Sequence, residues 1–472
     1  MDQLNELVTR IDNAVWGPVM LILLVGTGVF LSFRLKFVPV RNLGYALKSV
    51  LSPEARKSGK NGDVSAFAAL MTTLAATIGT GNIIGVATAM YSGGPGALVW
   101  MWISAFFGFS TKYTECMLAF KYREKNAGGE MAGGPMYTMK NGFRNKRFGL
   151  ILAALFAFFA ALASFGIGNL SQANSIASAV RQSFRLPTWI TGLILTALTL
   201  LVVVGGIQSI FKVSSVIVPL MAVFYTVMGV VVIAVNYRNL PTGMEQIFVM
   251  AFNPRAIGGG VLGTITATLM NSIRYGIARG VFSNEAGLGS AAIAASASAT
   301  DDPVQQGYIS ETGIFFDTIV VCTITGLAIA ASGVLGMVGP DGLPLKGVAL
   351  TMAAFESAVG PLGRWLVSIS IILFAFSTII GWEYQGEKSY EYLVRGNRRL
   401  IMGYRIVYSL IVFVGATQSL DLVWNISDIM NALMAIPNLI SLLVLSGVAA
   451  KETERYQRVL MRKKKEKKEN RL

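Results

Sequence analysis

Two glycine-interrupted stretches inside apolar sequence carry the residues best suited to hold a small ionic ligand. The first reads Gly79-Thr80-Gly81-Asn82, with Gly85 a turn later, midway through the apolar segment 64–90. Glycine lowers the cost of leaving helical geometry. An unwound turn frees amides and carbonyls, which persist inside a membrane only where they line a cavity or meet a ligand. Asn82 adds an amide whose oxygen can face a cation and whose nitrogen can face a carboxylate. Close helix packing through small residues is the competing reading for Gly79, Gly81 and Gly85. The second stretch runs from Asn271 to Gly289 and includes Arg274, Gly276, Arg279, Gly280, Phe282, Ser283, Asn284, Glu285 and Gly287. Its interruption is read at Gly276 to Gly280, five apolar segments after the first. Matched breaks of this kind mark a binding site between two repeated halves. Half-helix N-termini there favour a carboxylate, and freed carbonyls suit a small cation or an ammonium.

The elements that position these stretches emerge from composition. Of 472 residues, 53% are hydrophobic and 14% charged, and the mean hydropathy is +0.58. Apolar runs near 16–33, 64–90, 97–120, 149–180, 188–207, 213–236, 262–293, 306–335, 363–386, 403–419 and 424–449 are each of membrane-crossing length. The expected class is an all-α membrane protein of about eleven transmembrane helices. Met1 to Asp12 lacks the basic start and cleavage site of a secretory signal, so this segment is expected to be retained.

Basic residues set the expected orientation. They concentrate in the loops Arg34 to Lys60 and Lys121 to Arg147, at Lys212, from Lys388 to Arg405, and from Lys451 to Arg471. The intervening loops hold far fewer, among them Arg181, Arg185, Arg238 and Arg364. The bias predicts an outside N-terminus and a cytoplasmic C-terminus in the plasma (inner) membrane. The run Arg462 to Lys468 can also sit against anionic lipid. No aromatic-rich binding face accompanies it, which argues against nucleic acid.

Histidine is absent, which removes the commonest metal ligand and general base. Cys116 and Cys322 lie singly in apolar runs and read as small buried hydrophobes. No phosphate-binding loop is present. A membrane enzyme or ATP-driven pump is therefore disfavoured, and no cofactor is expected. A channel remains open from the broken segments alone.

Four blocks together resemble the alanine or glycine:cation symporters, also called sodium:alanine symporters. They are Gly79-Thr80-Gly81-Asn82, Gly93 to Trp102, Gly133-Gly134-Pro135-Met136-Tyr137 and Phe282 to Ser290. The resemblance covers about Val15 to Val448 and implies a leucine-transporter-like fold. One N-terminal helix would precede a 5+5 inverted-repeat core with two broken helices. The divisions expected are 1–63, a helix and basic loop; 64–236 and 262–449, the two repeats; and 450–472, a basic tail.

The implied function is import of small neutral amino acids, L-alanine or glycine with D-alanine as a further candidate, in symport with sodium by alternating access. A proton-coupled symporter is the alternative, and a monomer is expected. The resemblance also implies a sodium site of carbonyls from Ala75 and Ile78 with hydroxyls from Ser377 and Thr378. Hard oxygens of this kind replace the hydration shell of an alkali cation. A back-bond to the carbonyl one turn earlier is the ordinary alternative for both hydroxyls. For the substrate, amides near Thr80, Gly81 and Asn82 would take the carboxylate, and carbonyls near Gly276 to Gly280 the ammonium. Phe165, Gln172, Asn174 and Trp382 are candidates for the polar floor and aromatic walls. Lys112, Glu115, Arg274, Arg279, Glu285 and Asp317 lie within apolar segments, where charge is a functional suspect; structural ion pairs or gates are the reading favoured for them.

Overall fold

A computed structural model describes the chain except for residues 1–5, 7, 9, 12–14, 58–61, 127, 253–268, 340–341, 419 and 470–472. The start of the predicted segment 262–293 lies outside the described residues. Helix α1 (Pro18–Arg34) begins on a proline, which costs no intrahelical amide bond at that position. Short helices α2 (Val38–Arg41) and α3 (Leu43–Leu51) come next. α4 (Ala66–Thr77) starts where Ser65 Oγ accepts from the Ala68 amide. It stops at Ile78, and after a π-helical turn over Gly81–Gly85 the chain continues as α5 (Val86–Gly93). The two halves meet at 51°.

α6 (Ala97–Lys121) leads to a two-stranded hairpin, Glu124–Lys125 paired with Met131–Ala132, and to α7 (Pro135–Gly142). α8 (Lys146–Phe165) passes through a second π turn, Gly166–Leu170, into α9 (Ser171–Phe184). Then come α10 (Thr188–Val204), α11 (Gly206–Val235), α12 (Leu240–Phe252), α13 (Leu269–Asn284) and α14 (Ser290–Ala295). α15 (Pro303–Ile314), capped by Asp302, reaches α16 (Thr323–Ser332) through a third π turn, Phe315–Cys322. The chain closes with α17 (Gly347–Val359), α18 (Leu362–Leu393), α19 (Arg398–Thr417), α20 (Leu420–Val444) and α21 (Ser446–Glu469).

Among the described residues, five helical segments are long and apolar enough to cross a membrane, and two bent pairs, 66–93 and 428–462, pass the same test. The chain is a mostly helical, multi-pass membrane protein. Short helices α12 and α17 fall where no segment is expected, because thirteen residues are too few to cross hydrocarbon and leave only a weak apolar signal. The basic tail is also more than a tail. α21 lies against the bundle through Lys121 with Glu452 at 2.8 Å, Arg455 with Asp302 at 2.6 Å, and hydroxyl contacts of Thr453 with Tyr113 and Tyr456 with Tyr45.

The expected break at Gly276 to Gly280 is not there. α13 is helical from Leu269 to Asn284, and both glycines face α6. A methyl on Gly276 would overlap the Ala97 carbonyl and lie 2.6 Å from Trp100 Cβ; one on Gly280 would lie 2.7 Å from Ser104 Oγ. Glycines one turn apart here let two backbones approach, the packing alternative described for small residues. The interruption comes later, at Glu285 to Gly289, with Glu285 in the left-handed region at φ 55° and Gly287 and Gly289 at 92° and 85°. Gly276→Ala is accordingly expected to destabilise the protein by about 1–3 kcal/mol through overpacking. Thermal unfolding of the purified variant checks this; an unchanged midpoint would mean that α13 shifts freely on α6.

Candidate substrate and ion site

The first break is held open by its own asparagine. Asn82 Oδ1 accepts from the Gly79 amide at 2.9 Å, which no longer has a helical partner. Asn82 Nδ2 donates to Asp317 Oδ1 at 2.7 Å and to the Asp317 carbonyl at 3.2 Å, with Cys322 Sγ also near. The Asn82 carbonyl accepts from Thr325 Oγ1 at 2.8 Å. Asp317 is buried and ringed by donors: Ser283 Oγ at 2.9 Å and Thr318 Oγ1 at 2.7 Å on Oδ2, besides Asn82 on Oδ1. One carboxyl in a π turn thus ties the first broken helix to α13. Gly81 completes the contact, since a methyl there would lie 3.2 Å from the Phe282 ring and 3.3 Å from Ser283 Cα.

On the other flank of the break the expected ion ligands converge. Thr378 Oγ1 donates to the Ala75 carbonyl at 3.0 Å and reaches the Ile78 carbonyl at 3.5 Å. Ser377 Oγ lies 3.4 Å from the Ala75 carbonyl. Both hydroxyls also make the back-bond to Phe374, at 3.0 and 2.8 Å, so the ordinary alternative and the convergence coexist. Ile78 closes α4, and its carbonyl lies where the regular helix ends. Two carbonyls and two hydroxyls from different helices form a compact oxygen set suited to a small hard cation.

Gln172 and Thr80 extend this set toward the break. Gln172 Oε1 accepts from the Thr80 amide at 3.3 Å, and its Nε2 donates to the Ile167 carbonyl freed by the second π turn. Thr80 Oγ1 is buried and has no protein hydrogen bond, a costly condition for a hydroxyl unless a ligand meets it. Trp382, fully buried one turn beyond Thr378, donates from Nε1 to Glu285 Oε1 at 2.9 Å. Its side chain lies directly on Gly168, where any Cβ would overlap it. The indole is therefore fixed between the π turn of Gly166–Leu170 and the second break.

Two other candidates face elsewhere. Phe165 packs edge-on against Tyr404 and tilted against Tyr408, at 5.3 and 5.5 Å between ring centroids, and belongs to the contact with α19. It precedes the π turn, whose extra residue rotates it away from the face that carries Gln172. Asn174 donates to the carbonyls of Gly415 and Gln418 and caps the end of α19.

The intramembrane charges cluster at the second break and hold it. Lys112 Nζ donates to the Asn284 carbonyl at 2.8 Å, with Glu115 3.9 Å away. Glu115 Oε2 accepts from the Gly287 amide at 3.1 Å and from Asn438 Nδ2 at 3.2 Å, and Asn438 also donates to the Gly287 carbonyl. Ser290 and Trp382 take the two oxygens of Glu285. Arg279 pairs with Asp428 at 3.1 Å. These contacts offset the left-handed backbone at Glu285, a conformation that costs roughly 1–3 kcal/mol. Thr318 and Gly168 carry no signal in the sequence that would place them at the site, whereas Ser283 and Glu285 lie in the second candidate stretch without any sign there of their partners.

At the end of α18 remote from the break, Lys388 bridges Glu130 at 2.7 Å and Glu391 at 2.8 Å, and Arg405 pairs with Glu387. Burial raises the Glu130 carboxyl, but the hydrogen bond and charge of Lys388 outweigh it and hold the group below its usual range. Asp63, which accepts from the Met131 amide, is pushed up by burial.

A buried oxygen set beside a broken helix, reached from several bundled helices, is an arrangement suited to an ion-coupled membrane transporter. The fold is similar to that of MhsT, solved in complex with L-phenylalanine, with a TM-score of 0.55 at 11% identity over 84% of this chain and 99% of that one. Residues 1–471 match the model of the sodium:alanine symporter family, and the chain belongs to that family. The sodium/alanine symporter AgcS of Methanococcus maripaludis is 50% identical over 454 residues, covering 96% of this chain and 97% of the relative. An uncharacterized transporter of Haemophilus influenzae is 46% identical over 455 residues, 96% of each. A probable sodium/glutamine symporter, GlnT of Bacillus subtilis, is 39% identical over 461 residues, 97% of this chain and 92% of the relative.

Proposed function

We propose that this protein imports small neutral amino acids, alanine foremost and glycine with it, in symport with sodium. The observation that carries the reading is the convergence of the Ser377 and Thr378 hydroxyls on the Ala75 and Ile78 carbonyls at the end of α4. A carboxylate sits next to that set in this reading, against the amides of Thr80 and Gly81 and the unpartnered Thr80 hydroxyl, with Gln172 as the polar floor. Sodium and substrate are then close enough for each to favour the other's binding, the thermodynamic requirement of symport. The ammonium has no place at Gly276 to Gly280, and the backbone groups of the second break are occupied by Lys112, Glu115 and Asn438. Substrate recognition therefore rests mainly on the first break. A site built mainly on backbone groups makes few side-chain contacts that would select one hand, which keeps D-alanine as a further candidate substrate.

The working cycle is alternating access by a monomer in the plasma membrane. Eleven crossings, an N-terminal helix plus inverted repeats over 64–236 and 262–449, carry the N-terminus outside and the C-terminus in the cytoplasm, as the basic residues favour.

Uptake into proteoliposomes tests the reading. Concentrative alanine accumulation is expected under an inward sodium gradient and not when potassium replaces sodium at fixed pH. Accumulation that ignored sodium and followed a proton gradient would overturn the ion assignment, and purely dissipative flux would point to a channel. Trp382 supplies the size limit: Trp382→Ala is expected to admit larger side chains such as leucine, with alanine uptake reduced severalfold. Competition by a panel of amino acids reads this out, and an unaltered spectrum at normal uptake would make Trp382 a packing residue only.

A further inference from the structure

A cleft of about 450 Å³ opens where α1 leaves the membrane, between α2 and α21. Arg34, Lys36, Arg41 and Arg458 line it, against the single carboxylate of Glu454. Glu454 is 3.4 Å from Lys36, and among the described residues Arg34, Arg41 and Arg458 have no ion pair or hydrogen bond. Arg455, on the same helix as Arg458, is matched with Asp302 and Glu452, and Arg405 with Glu387. Three unpaired guanidinium groups around one concavity are a poor arrangement for an empty surface, since like charges repel and each fork is built for a phosphate or carboxylate.

The surroundings say where the anion comes from. Val19, Ile22, Phe30 and Phe33 form an exposed apolar stripe at helical spacing along α1, and the stripe ends at the cleft. Phe37 packs on Phe33 and on the exposed Phe106 beside it. Leu35, Val38 and Met461 add apolar lining within the cleft itself. A soluble anion has no use for such a wall, whereas an acyl chain lies along it while its headgroup reaches the arginines.

We infer that this cleft binds the phosphate of an anionic phospholipid, with Arg34, Arg41 and Arg458 as its ligands. The bound lipid cross-links α1 and α2 to α21, which is also fastened to α6 through Thr453 on Tyr113 and to the start of α15 through Arg455 on Asp302. It therefore clamps α21 onto the bundle.

The test uses the full-length purified protein, with lipid retention followed by native mass spectrometry and thermal unfolding measured in parallel. Phosphatidylglycerol is expected to bind and raise the unfolding midpoint, whereas phosphatidylcholine is not. Each interfacial cation contributes on the order of a fivefold gain, so Arg34→Gln/Arg41→Gln/Arg458→Gln should weaken phosphatidylglycerol about a hundredfold and remove its thermal shift. Arg41→Gln alone should weaken it about fivefold, and serves if the triple variant does not fold. Replacing the exposed Arg144, Arg147 and Arg398 by glutamine should leave binding as it was. Wild-type retention by the triple variant, or equal loss in the Arg144 set, would overturn the site. Equal protection by inorganic phosphate at the headgroup concentration would overturn the lipid in favour of a free anion.

Discussion

Asn82→Ala is expected to lower sodium-driven alanine uptake by about a hundredfold or more while the protein still reaches the membrane. The amide does three things at once: it satisfies the Gly79 N–H, engages Asp317 and fixes the backbone whose carbonyl receives Thr325. Alanine leaves the Gly79 donor without its partner in a buried site, at about 1–3 kcal/mol, and leaves Asp317 Oδ1 with Ser283 Oγ alone. The cheapest relief is for residues 78–82 to rewind, which withdraws the Ile78 carbonyl and the Thr80 and Gly81 amides together. Asn82→Asp keeps the acceptor for Gly79 but sets a second carboxyl against Asp317, so it should be as inactive at neutral pH. Uptake by proteoliposomes of matched protein content is the measurement. Near-normal uptake by Asn82→Ala would mean that the break is held by glycine geometry alone.

The second large effect is on sodium. Ser377→Ala together with Thr378→Ala should raise the sodium concentration for half-maximal uptake about tenfold or more, with the maximal rate approached again at high sodium. Removing a charge–dipole ligand from a small cation costs about 1.5–3 kcal/mol, enough for that shift. Thr378→Val separates the roles, because it keeps the side-chain shape and loses both the reach to Ala75 and the back-bond to Phe374. Gly79→Ala should act similarly from the opposite wall, since its methyl would lie 2.5 Å from Thr378 Oγ1. Unaltered sodium dependence in all three would remove these oxygens from the ion site.

How far the sequence leads differs between the two breaks. At Gly79 to Asn82 the glycines alone fit packing as well as unwinding and the amide tilts the reading to a break, and the interruption is where these residues suggest. At Gly276 and Gly280 the same composition serves helix contact with α6, because a glycine every fourth residue looks identical whether the backbone leaves the helix or is approached by another. The actual break turns on Glu285, a residue with no intrinsic taste for the left-handed region, held there by Trp382, Ser290 and the Lys112–Glu115 pair from elsewhere in the chain. Nothing local announces it. Asp317 is the instructive intermediate case: a lone carboxyl in an apolar segment marks itself as important, but its partners Asn82 and Ser283 are 235 and 34 residues away and emerge only from the fold. Phe165 and Trp382 are equally plausible as walls by residue type; the fold sets Phe165 against Tyr404 and Tyr408 and Trp382 between Gly168 and Glu285, contacts that residue type alone does not specify.

Those π turns also have a mechanical meaning. A π turn stores one residue more than the regular helix needs. Passing that residue along the helix rotates the downstream segment by about 100° and advances it by about 1.5 Å, without opening any end of the hydrogen-bond ladder. Such slack lies in the helices of Asn82, Gln172 and Asp317: the Gly81–Gly85 turn opens the second half of the broken helix, and the other two turns lie within continuous helical segments. Two of these π turns thus lie inside otherwise continuous helices, where a change of rotational setting would need no broken helix end. Deleting one residue from the Gly166–Leu170 turn would remove the joint and lock α9 in a single rotational setting relative to α8.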